Sequence, residues 1–268
     1  MSSIQYVQVK AWDGKVSVRV RVAGQGPALV YLHSAAGPLW DAFLERLAEQ
    51  YTVYAPEFPG TSPDDPYAVK HLDDLQDVLL VYEEVIRKLQ LDRPVLVGQS
   101  FGGMLATELA SVFPQLPSRL VILDAVGLWR DDAPVVNWNE LPASDMPALL
   151  FHDPSIEVAR KMFELPQDPE EKVKAMAAGV WALGCTGKFV WPIADRGLSK
   201  RLHRVAAPTL IVWGEHDRLV SAVYAQEFAK RISDSRVCIV ADAGHIPQME
   251  NLEATLGATL GFLAEQGK

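Results

Sequence analysis

The sequence predicts an α/β protein built on a mostly parallel, doubly wound sheet with an antiparallel start. Short apolar runs alternate with amphipathic segments along most of the 268 residues, as they do where helices connect parallel strands. Near the N-terminus, two segments of alternating apolar and polar residues flank Asp13-Gly14, a dipeptide typical of antiparallel hairpins. Residues 125–202 interrupt the alternation and predict a helical insertion.

Local patterns predict each element in turn. The hairpin strands are residues 4–10 and 15–22, because valine recurs at every second position from Val16 to Val22. Continuous apolar runs predict further buried strands at 28–33, 51–56, 94–97, 118–124, 209–214 and 236–241. Helices are predicted at 39–50, 72–89, 222–231 and 251–265, and directly after Gly102.

The interruption divides the chain into a core and an inserted cap. Residues 1–124 and 203–268 are predicted to form the core, and residues 125–202 the helical cap. The cap contains short helical patterns at 157–164 and 170–183, many prolines, and four of the seven tryptophans. We interpret it as a lid inserted into the core rather than as an independent domain.

Charge, cysteine content and hydropathy argue against several classes of protein. A net charge of −9 argues against nucleic acid and anionic membrane as partners. The spacing of Cys185 and Cys238 matches no metal or redox motif, so we expect neither a metal nor another cofactor. Residues 1–5 lack the basic and apolar regions of a signal peptide, and no apolar run is long enough to span a bilayer. These features predict a cytoplasmic protein, and they carry no information on its oligomeric state.

Gly98, Ser100 and Gly102 have the spacing of a nucleophile elbow, in which a strand turns sharply into a helix. The turn strains the backbone of the serine, and glycine two positions to either side avoids a clash. A valine-rich strand precedes the motif and a helix-forming segment follows it. This context predicts that the Ser100 hydroxyl is raised above the sheet, next to the free N–H groups of a helix N-terminus.

A serine nucleophile needs a base to take its proton and an acid to orient that base. His245 is the favoured base because it lies in a glycine-containing turn just after a predicted strand. Asp217 is the favoured acid, since it follows a buried strand at the edge where catalytic groups collect in open α/β sheets. Asp124, at the end of the strand after the elbow helix, is the alternative acid. Asp242 is close to His245 in sequence and is interpreted as a turn residue.

The order Ser100, Asp217, His245 and the strand-turn-helix patterns around them resemble the α/β-hydrolase fold family over nearly the whole chain. The resemblance implies an eight-stranded sheet with an inserted cap and an oxyanion hole made of two backbone N–H groups. One group is that of Phe101, directly after the nucleophile. The other lies in the loop after the third strand, where Ala35 is the candidate.

Two positions depart from the usual sequence of that family. Ser34 stands where the family usually has glycine, and it can reshape the oxyanion hole or offer its hydroxyl to the substrate. Glu57 replaces the aspartate that usually follows the fourth strand. The change at Glu57 does not touch the predicted triad.

The serine at the elbow separates this chain from other enzymes of the same fold. Haloalkane dehalogenases and epoxide hydrolases use aspartate there, so Ser100 argues against both. The chain resembles carboxylesterases and the hydrolases that cleave carbon–carbon bonds in products of aromatic ring cleavage. The second group commonly has tryptophan after the catalytic histidine, where this chain has Ile246. It also uses a cap arginine to bind the substrate carboxylate, and Arg160 and Arg196 are the candidates here.

We therefore expect a serine hydrolase that forms an acyl-enzyme with a small, apolar or aromatic carbonyl compound, as carboxylesterases do. The first alternative is a carbon–carbon bond hydrolase, and the second is a small-molecule receptor with slow or no turnover. Candidates for the substrate pocket are His33, Ser34, Trp138, Phe151, Trp181, Trp191 and Ile246. The cap aromatic residues among them can equally serve to pack the cap onto the core.

Overall fold

The structure, a computed structural model, describes residues 3–265. Its strands are β1 (Gln5–Ala11), β2 (Val16–Ala23), β3 (Ala28–Leu32), β4 (Thr52–Pro56), β5 (Val95–Gln99), β6 (Arg119–Leu123), β7 (Thr209–Gly214) and β8 (Ser235–Val240). Within the described residues these eight strands form one sheet in the order β1-β2-β4-β3-β5-β6-β7-β8. β2 is antiparallel to both β1 and β4, whereas the other neighbouring pairs are parallel. The predicted mostly parallel sheet with an antiparallel start is thus confirmed.

The sequence predicts no signal peptide in residues 1–5. Two of these residues, Met1 and Ser2, lie outside the described residues.

Helices cover both faces of the sheet. They are α1 (Ala42–Leu47), α2 (Leu75–Lys88), α3 (Phe101–Val112), α4 (Met146–Leu150), α5 (Glu157–Met162), α6 (Pro169–Gly187), α7 (Val223–Ala229), α8 (Pro247–Glu250) and α9 (Leu252–Ala264). Successive side chains of a strand point to opposite faces. Accordingly, Leu96 of β5 belongs to the apolar cluster that contains α3 residue Leu105, and Val97 to the cluster that contains α1 residue Phe43. The sheet is therefore doubly wound, as the alternation predicts.

Aspartate caps set the true starts of two helices. The sequence predicts helices at 39–50 and 72–89, but α1 and α2 each begin three residues later. The side chain of Asp41 accepts a hydrogen bond from the Leu44 N–H (3.0 Å), and that of Asp74 from the Asp77 N–H (3.1 Å). The predicted starts are wrong because the apolar pattern extends past the capping residue, whose side chain satisfies a free N–H of the first turn.

The chain between β6 and β7, residues 124–208, is built from helices, turns and loops and is called the β6–β7 segment below. α6 is its longest helix, and its N-cap Asp168 accepts hydrogen bonds from the N–H groups of Glu170 and Glu171. Toward its other end, the Thr186 hydroxyl donates to the Ala35 carbonyl oxygen (3.1 Å), so that α6 contacts the loop after β3. No helix within residues 3–265 is both long and apolar enough to cross a membrane.

Candidate active site

Ser100 stands at a strained turn between β5 and α3. Its φ of 55° and ψ of −115° lie in a region that residues with a side chain rarely adopt. A Cβ at Gly98 would overlap the Gly102 carbonyl oxygen, and a Cβ at Gly102 would overlap that of Leu32. Both glycines are therefore required by the close approach of neighbouring backbone, and the turn raises Ser100 into a buried position at the carboxyl edge of the sheet.

Three side chains from three loops form one hydrogen-bonded chain at this edge. The Ser100 hydroxyl lies 2.8 Å from Nε2 of His245, and Nδ1 of His245 lies 2.8 Å from Oδ2 of Asp217. A carboxylate has no hydrogen to donate, so in the neutral ring Nδ1 carries the hydrogen that Asp217 accepts. Nε2 is then free to accept a hydrogen bond from the Ser100 hydroxyl. All three residues are less than 8% exposed.

The backbone around Asp217 holds its carboxylate in place. Oδ1 accepts hydrogen bonds from the N–H groups of Leu219 and Val220, both at 2.9 Å, which leaves Oδ2 directed at His245. The strand β7 ends at Gly214, so the short loop after it brings Asp217 to the same edge as Ser100. The parallel register of β5, β6 and β7 explains why residues so far apart in sequence meet.

The loop that carries His245 is fastened on several sides. Its own N–H donates to the Leu150 carbonyl oxygen (2.8 Å), and its carbonyl oxygen accepts from the Gln99 side-chain amide (2.8 Å). The N–H of Gly244 donates to the carboxylate of Glu250 (2.5 Å). A Cβ at Gly244 would lie only 2.7 Å from the Leu150 oxygen, so glycine is needed for this approach. The imidazole is thereby oriented before any substrate binds.

The loop after β3 lies beside Ser100, as the resemblance implies. Ala35 borders the same cavity as Ser100, and Phe101 is the first residue of α3, whose amide lies in the turn without intrahelical partners. Ser34 also borders this cavity. The Thr186 hydroxyl lies 3.1 Å from the Ala35 carbonyl oxygen, so the end of α6 contacts this loop at the peptide that follows Ala35.

His33 anchors that loop rather than lining the cavity above Ser100. Its Nδ1 donates to the Ser34 carbonyl oxygen (2.7 Å), and its Nε2 accepts from the Phe58 N–H (2.9 Å). Burial lowers the pKa of His33 to about 4, so the ring is neutral and its two backbone bonds fix the tautomer. It borders a separate small cavity next to the main one. His33 is one of the predicted pocket residues, and in the structure it lines this neighbouring cavity while two backbone hydrogen bonds hold its ring.

Glu57, the departure at the end of β4, is part of a buried ion-pair cluster. Its two carboxylate oxygens each accept from the Nε of one arginine on β2, Arg19 and Arg21, at 3.0 Å. Glu57 is only 1% exposed, so the two arginines supply the compensation that a buried charge needs. The cluster ties β4 to β2 and leaves the three-residue hydrogen-bonded chain untouched.

The cavity above Ser100 is small and mostly apolar. It encloses about 40 Å³. Its lining consists of Ser34, Ala35, Ala36, Gln99, Ser100, Trp138, Met146, Leu150, Met162, Leu183, Leu219, His245 and Ile246. Three expected pocket residues are among them: Ser34, Trp138 and Ile246. The methionines and leucines were missed, because an apolar side chain that lines a pocket has the same sequence pattern as one that packs a core.

The other expected aromatic residues lie elsewhere. Phe151 packs edge to face on Phe163 in the interior, and Trp191 packs on Trp138 with ring centroids 4.7 Å apart. Trp181 lies on the outer side of α6, where its indole N–H donates to the carbonyl oxygens of Gly60 and Pro66. They therefore support the β6–β7 segment and do not border the cavity. Arg160 and Arg196, the candidate carboxylate ligands, are both exposed.

Asp124, the alternative acid, is next to the hydrogen-bonded chain but outside it. It is fully buried, and its Oδ1 accepts from the Gly214 N–H (2.8 Å). One oxygen of Asp124, one oxygen of Asp217 and one ring nitrogen of His245 lie within 4.8 Å of one another. Burial, and then the nearby charge of Asp217, raise the pKa of Asp124 well above its usual range. Asp217, and not Asp124, is the residue that accepts from His245.

A second group of side chains could hold a metal ion on the surface nearby. One donor atom each from His152, His216 and Asp242 lies within 4.8 Å of the others. The two imidazole rings are stacked with centroids 4.0 Å apart. Asp242 has a φ of 52°, in keeping with the turn predicted for it.

Comparison with known proteins identifies the family of this chain. The sequence profile of the alpha/beta hydrolase family matches residues 29–258. The 2-hydroxy-6-oxo-6-phenylhexa-2,4-dienoate hydrolase of Burkholderia cepacia is 25% identical, and the match covers 92% of this chain and 91% of that protein. The chain belongs to the alpha/beta hydrolase family, and it is a hydrolase.

Solved structures show the same fold at lower identity. A membrane phospholipase A matches with a TM-score of 0.76 and 21% identity, over 98% of this chain and 86% of the other. A meta-cleavage product hydrolase from Pseudomonas fluorescens IP01 matches with a TM-score of 0.71 and 17% identity, over 96% and 97% of the two chains. The predicted fold, an eight-stranded α/β-hydrolase sheet, is confirmed.

Proposed function

We propose that this protein is a serine hydrolase that cleaves esters of small, uncharged, apolar acids through an acyl-enzyme. The hydrogen-bonded chain from Ser100 through His245 to Asp217 carries the proposal. His245 Nε2 takes the proton from Ser100 while the serine oxygen attacks the ester carbonyl carbon. Asp217 stabilises the resulting imidazolium through Nδ1 without itself taking a proton.

The tetrahedral intermediate places a negative charge on the former carbonyl oxygen. The N–H groups of Phe101 and Ala35 are the proposed donors to this oxygen. The imidazolium then gives its proton to the leaving alcohol. A water molecule, deprotonated by the same His245, releases the acid and restores Ser100.

The composition of the cavity supports an uncharged substrate. Among the described residues that line it, none is lysine or arginine, and most are alanine, leucine, methionine, isoleucine or tryptophan. A buried carboxylate without a cationic partner is costly, so the cavity disfavours a charged acyl group. The volume of about 40 Å³ is of the order of one or two water molecules, so substrate entry requires movement of the β6–β7 segment. We accordingly propose that residues 125–202 are the cap of this enzyme.

Carbon–carbon bond cleavage is the second candidate, because curated relatives whose matches cover at least 90% of both chains are named as 2-hydroxy-6-oxo-dienoate hydrolases. That substrate class carries a carboxylate. Arg160 and Arg196 are exposed, so either would have to move toward the cavity to bind it. A receptor with little or no turnover is the third candidate, and the intact hydrogen-bonded chain argues against it.

Steady-state hydrolysis of p-nitrophenyl butyrate and of 2-hydroxy-6-oxo-6-phenylhexa-2,4-dienoate separates these candidates. We expect turnover of the ester to exceed that of the dienoate. Ser100→Ala should lower kcat for the preferred substrate by about 10⁴-fold or more, since it removes the nucleophile. Faster dienoate cleavage would replace the ester proposal by the carbon–carbon one. Ester turnover that survives Ser100→Ala would exclude this site as its source.

A further inference from the structure

Asp124 is a buried carboxyl group that the proposed mechanism does not use. Its backbone N–H donates to the Val212 carbonyl oxygen (3.0 Å), and its Oδ1 accepts from the Gly214 N–H (2.8 Å), so β7 holds it at both ends. Oδ2 is inaccessible to solvent and has no hydrogen-bond partner among the described residues. A buried polar atom without a partner is rare and costly, which indicates that Oδ2 engages a neighbouring group.

Asp217 is the group close enough to provide that contact. Two ionised carboxylates in one buried site repel each other, so one of the pair holds a proton. Asp217 accepts three N–H hydrogen bonds, from Leu219, Val220 and His245, whereas Asp124 accepts one. Since each donor stabilises negative charge, the charge belongs on Asp217 and the proton on Asp124.

We propose that Asp124 is a neutral carboxylic acid whose Oδ2–H donates a hydrogen bond to the Asp217 carboxylate, which makes Asp124 a positioning residue for the triad. The catalytic consequence rests on the proposed function, but the location of the proton does not. With this bond Asp217 accepts from four donors, and its carboxylate cannot rotate away from Nδ1 of His245. The donor also draws charge from Asp217 and so keeps the shared hydrogen on the imidazole.

The electrostatic surroundings of Asp124 agree with a neutral form. The ionisable groups that face it are Asp217, His245 and Glu250, and two of the three are acids. Burial is the largest cause of its raised pKa, followed by the charge of Asp217, and Glu250 acts in the same direction. The N–H of Gly214 acts in the opposite direction but does not reverse the shift.

The test compares Asp124→Asn with Asp124→Ala. The backbone of Asp124 has a φ of 47°, which asparagine tolerates, and the Asn amide can both accept from Gly214 and donate to Asp217. We expect Asp124→Asn to retain a third or more of wild-type kcat/KM. Asp124→Ala should lose about 10- to 100-fold, the usual effect of removing a group that orients a catalytic ligand or side chain. Denaturant unfolding of both variants verifies that they are folded.

Two readouts separate this role from simple packing. The infrared difference spectrum at neutral pH, wild type minus Asp124→Asn, should contain the C=O stretch of a protonated carboxyl; Asp41, whose pKa burial raises to about 6, contributes equally to both proteins and cancels. At alkaline pH, wild-type kcat/KM should fall as Asp124 ionises, whereas Asp124→Asn, whose amide cannot ionise, should keep its plateau. A difference spectrum without the band, identical alkaline profiles, or a folded Asp124→Asn as impaired as Asp124→Ala would each overturn the proposal.

The infrared measurement needs no substrate, so it tests the neutral Asp124 independently of the proposed hydrolytic function. Labelling of Ser100 by a fluorophosphonate reports separately on the nucleophile. A protein with the carboxyl band and an unreactive Ser100 would support the neutral Asp124 and refute the hydrolytic mechanism. A reactive Ser100 in a protein without the band would refute the neutral Asp124 and support the hydrolytic mechanism.

Discussion

The loops at the carboxyl edge of the sheet and the β6–β7 segment above them differ in how they hold their side chains. Asp217 and His245 are each fixed by several hydrogen bonds from backbone or buried side chains. The segment contributes apolar side chains to the cavity, such as Leu183, Met146 and Met162, whose contacts have no fixed direction. Hydrogen bonds fix both the distance and the direction between the groups they join. An apolar side chain in contact with the cavity, by contrast, can be replaced by another of similar size.

The two sides of α6 repeat this contrast on a smaller scale. Leu183 faces the cavity with Ser100, whereas Val173 and Val180 are 66% and 74% exposed. One helix therefore presents apolar residues to both the cavity and the solvent. From this division we expect the sheet edge to determine the type of reaction and the β6–β7 segment to determine the size of the substrate. Four substitutions test this division.

The largest effect is expected at the sheet edge, from Asp217→Asn. The amide would favour the wrong tautomer of His245, and loss of the orienting acid in such triads lowers kcat by about 10⁴-fold. The measurement is kcat for p-nitrophenyl butyrate, with circular dichroism to verify folding. Retention of a tenth or more of wild-type activity would move the acid role to another residue, and Asp124 is the nearest.

The anchor of the loop after β3 should make stability depend on pH. The pKa of His33 is about 4 in the folded chain and near 6.5 when unfolded, so the unfolded chain binds more protons between these values. The free energy of unfolding should therefore decrease as the pH falls from about 6.5 to 4, with a contribution from His33 of up to about 3 kcal/mol. Urea titrations of wild type and His33→Asn measure that contribution.

Exposed His203 provides the matched control for that experiment. His203→Asn should leave the pH dependence of the free energy of unfolding as it is in the wild type. Equal pH dependence in wild type and His33→Asn would mean that the ring does not stay neutral in the folded chain.

A smaller effect should separate the two sides of α6. Leu183→Ala enlarges the cavity and should raise kcat/KM for a bulky aryl ester, relative to a short one, by about 10-fold, as expected for a few methylene groups. Val180→Ala, on the exposed side of the same helix, should leave this ratio unchanged. A change of the same size in both variants would show that α6 acts through its overall stability and not through the lining of the cavity.

The smallest effect concerns Trp181, which fastens α6 to the loop after β4. Trp181→Phe removes the indole donor to the Gly60 and Pro66 carbonyl oxygens and should lower the free energy of unfolding by about 1 kcal/mol. Val173→Ala, an exposed residue of the same helix, should change it by less than about 0.5 kcal/mol. Urea denaturation measures the free energy of unfolding of both variants. An unchanged value for Trp181→Phe would mean that these two hydrogen bonds are no more stabilising than the hydrogen bonds with water that replace them in the unfolded chain.

Short-range patterns predicted the sheet and the elbow because the physical cause is itself local. The period of apolar residues predicts strands and helices, and Gly98 and Gly102 are needed by the immediate neighbours of Ser100. The helix starts were wrong for a local reason too, since Asp41 and Asp74 compete with the apolar pattern. A rule that gives the N-cap priority over the pattern would have located both.

Which side of a helix faces the cavity was not predictable from the sequence. Leu183 and Val180 belong to the same helical pattern, and only the packing of α6 on the core decides which of them lines the cavity. Trp181 and Trp138 were equally plausible pocket residues for the same reason. The pair of Asp124 and Asp217, 93 positions apart, meets because β6 and β7 are neighbours in the sheet.

The sequence alone predicts the order and kind of the strands and helices, and the residues suited to nucleophilic and acid–base chemistry at the ends of β5, β7 and β8. Side-chain type and nearest neighbours are sufficient for those features. The tertiary structure decided which acid accepts from His245, which residues surround Ser100 and how little space they leave. Those properties depend on distances between segments remote in the chain, and they exist only once the sheet has assembled and α6 has packed against it.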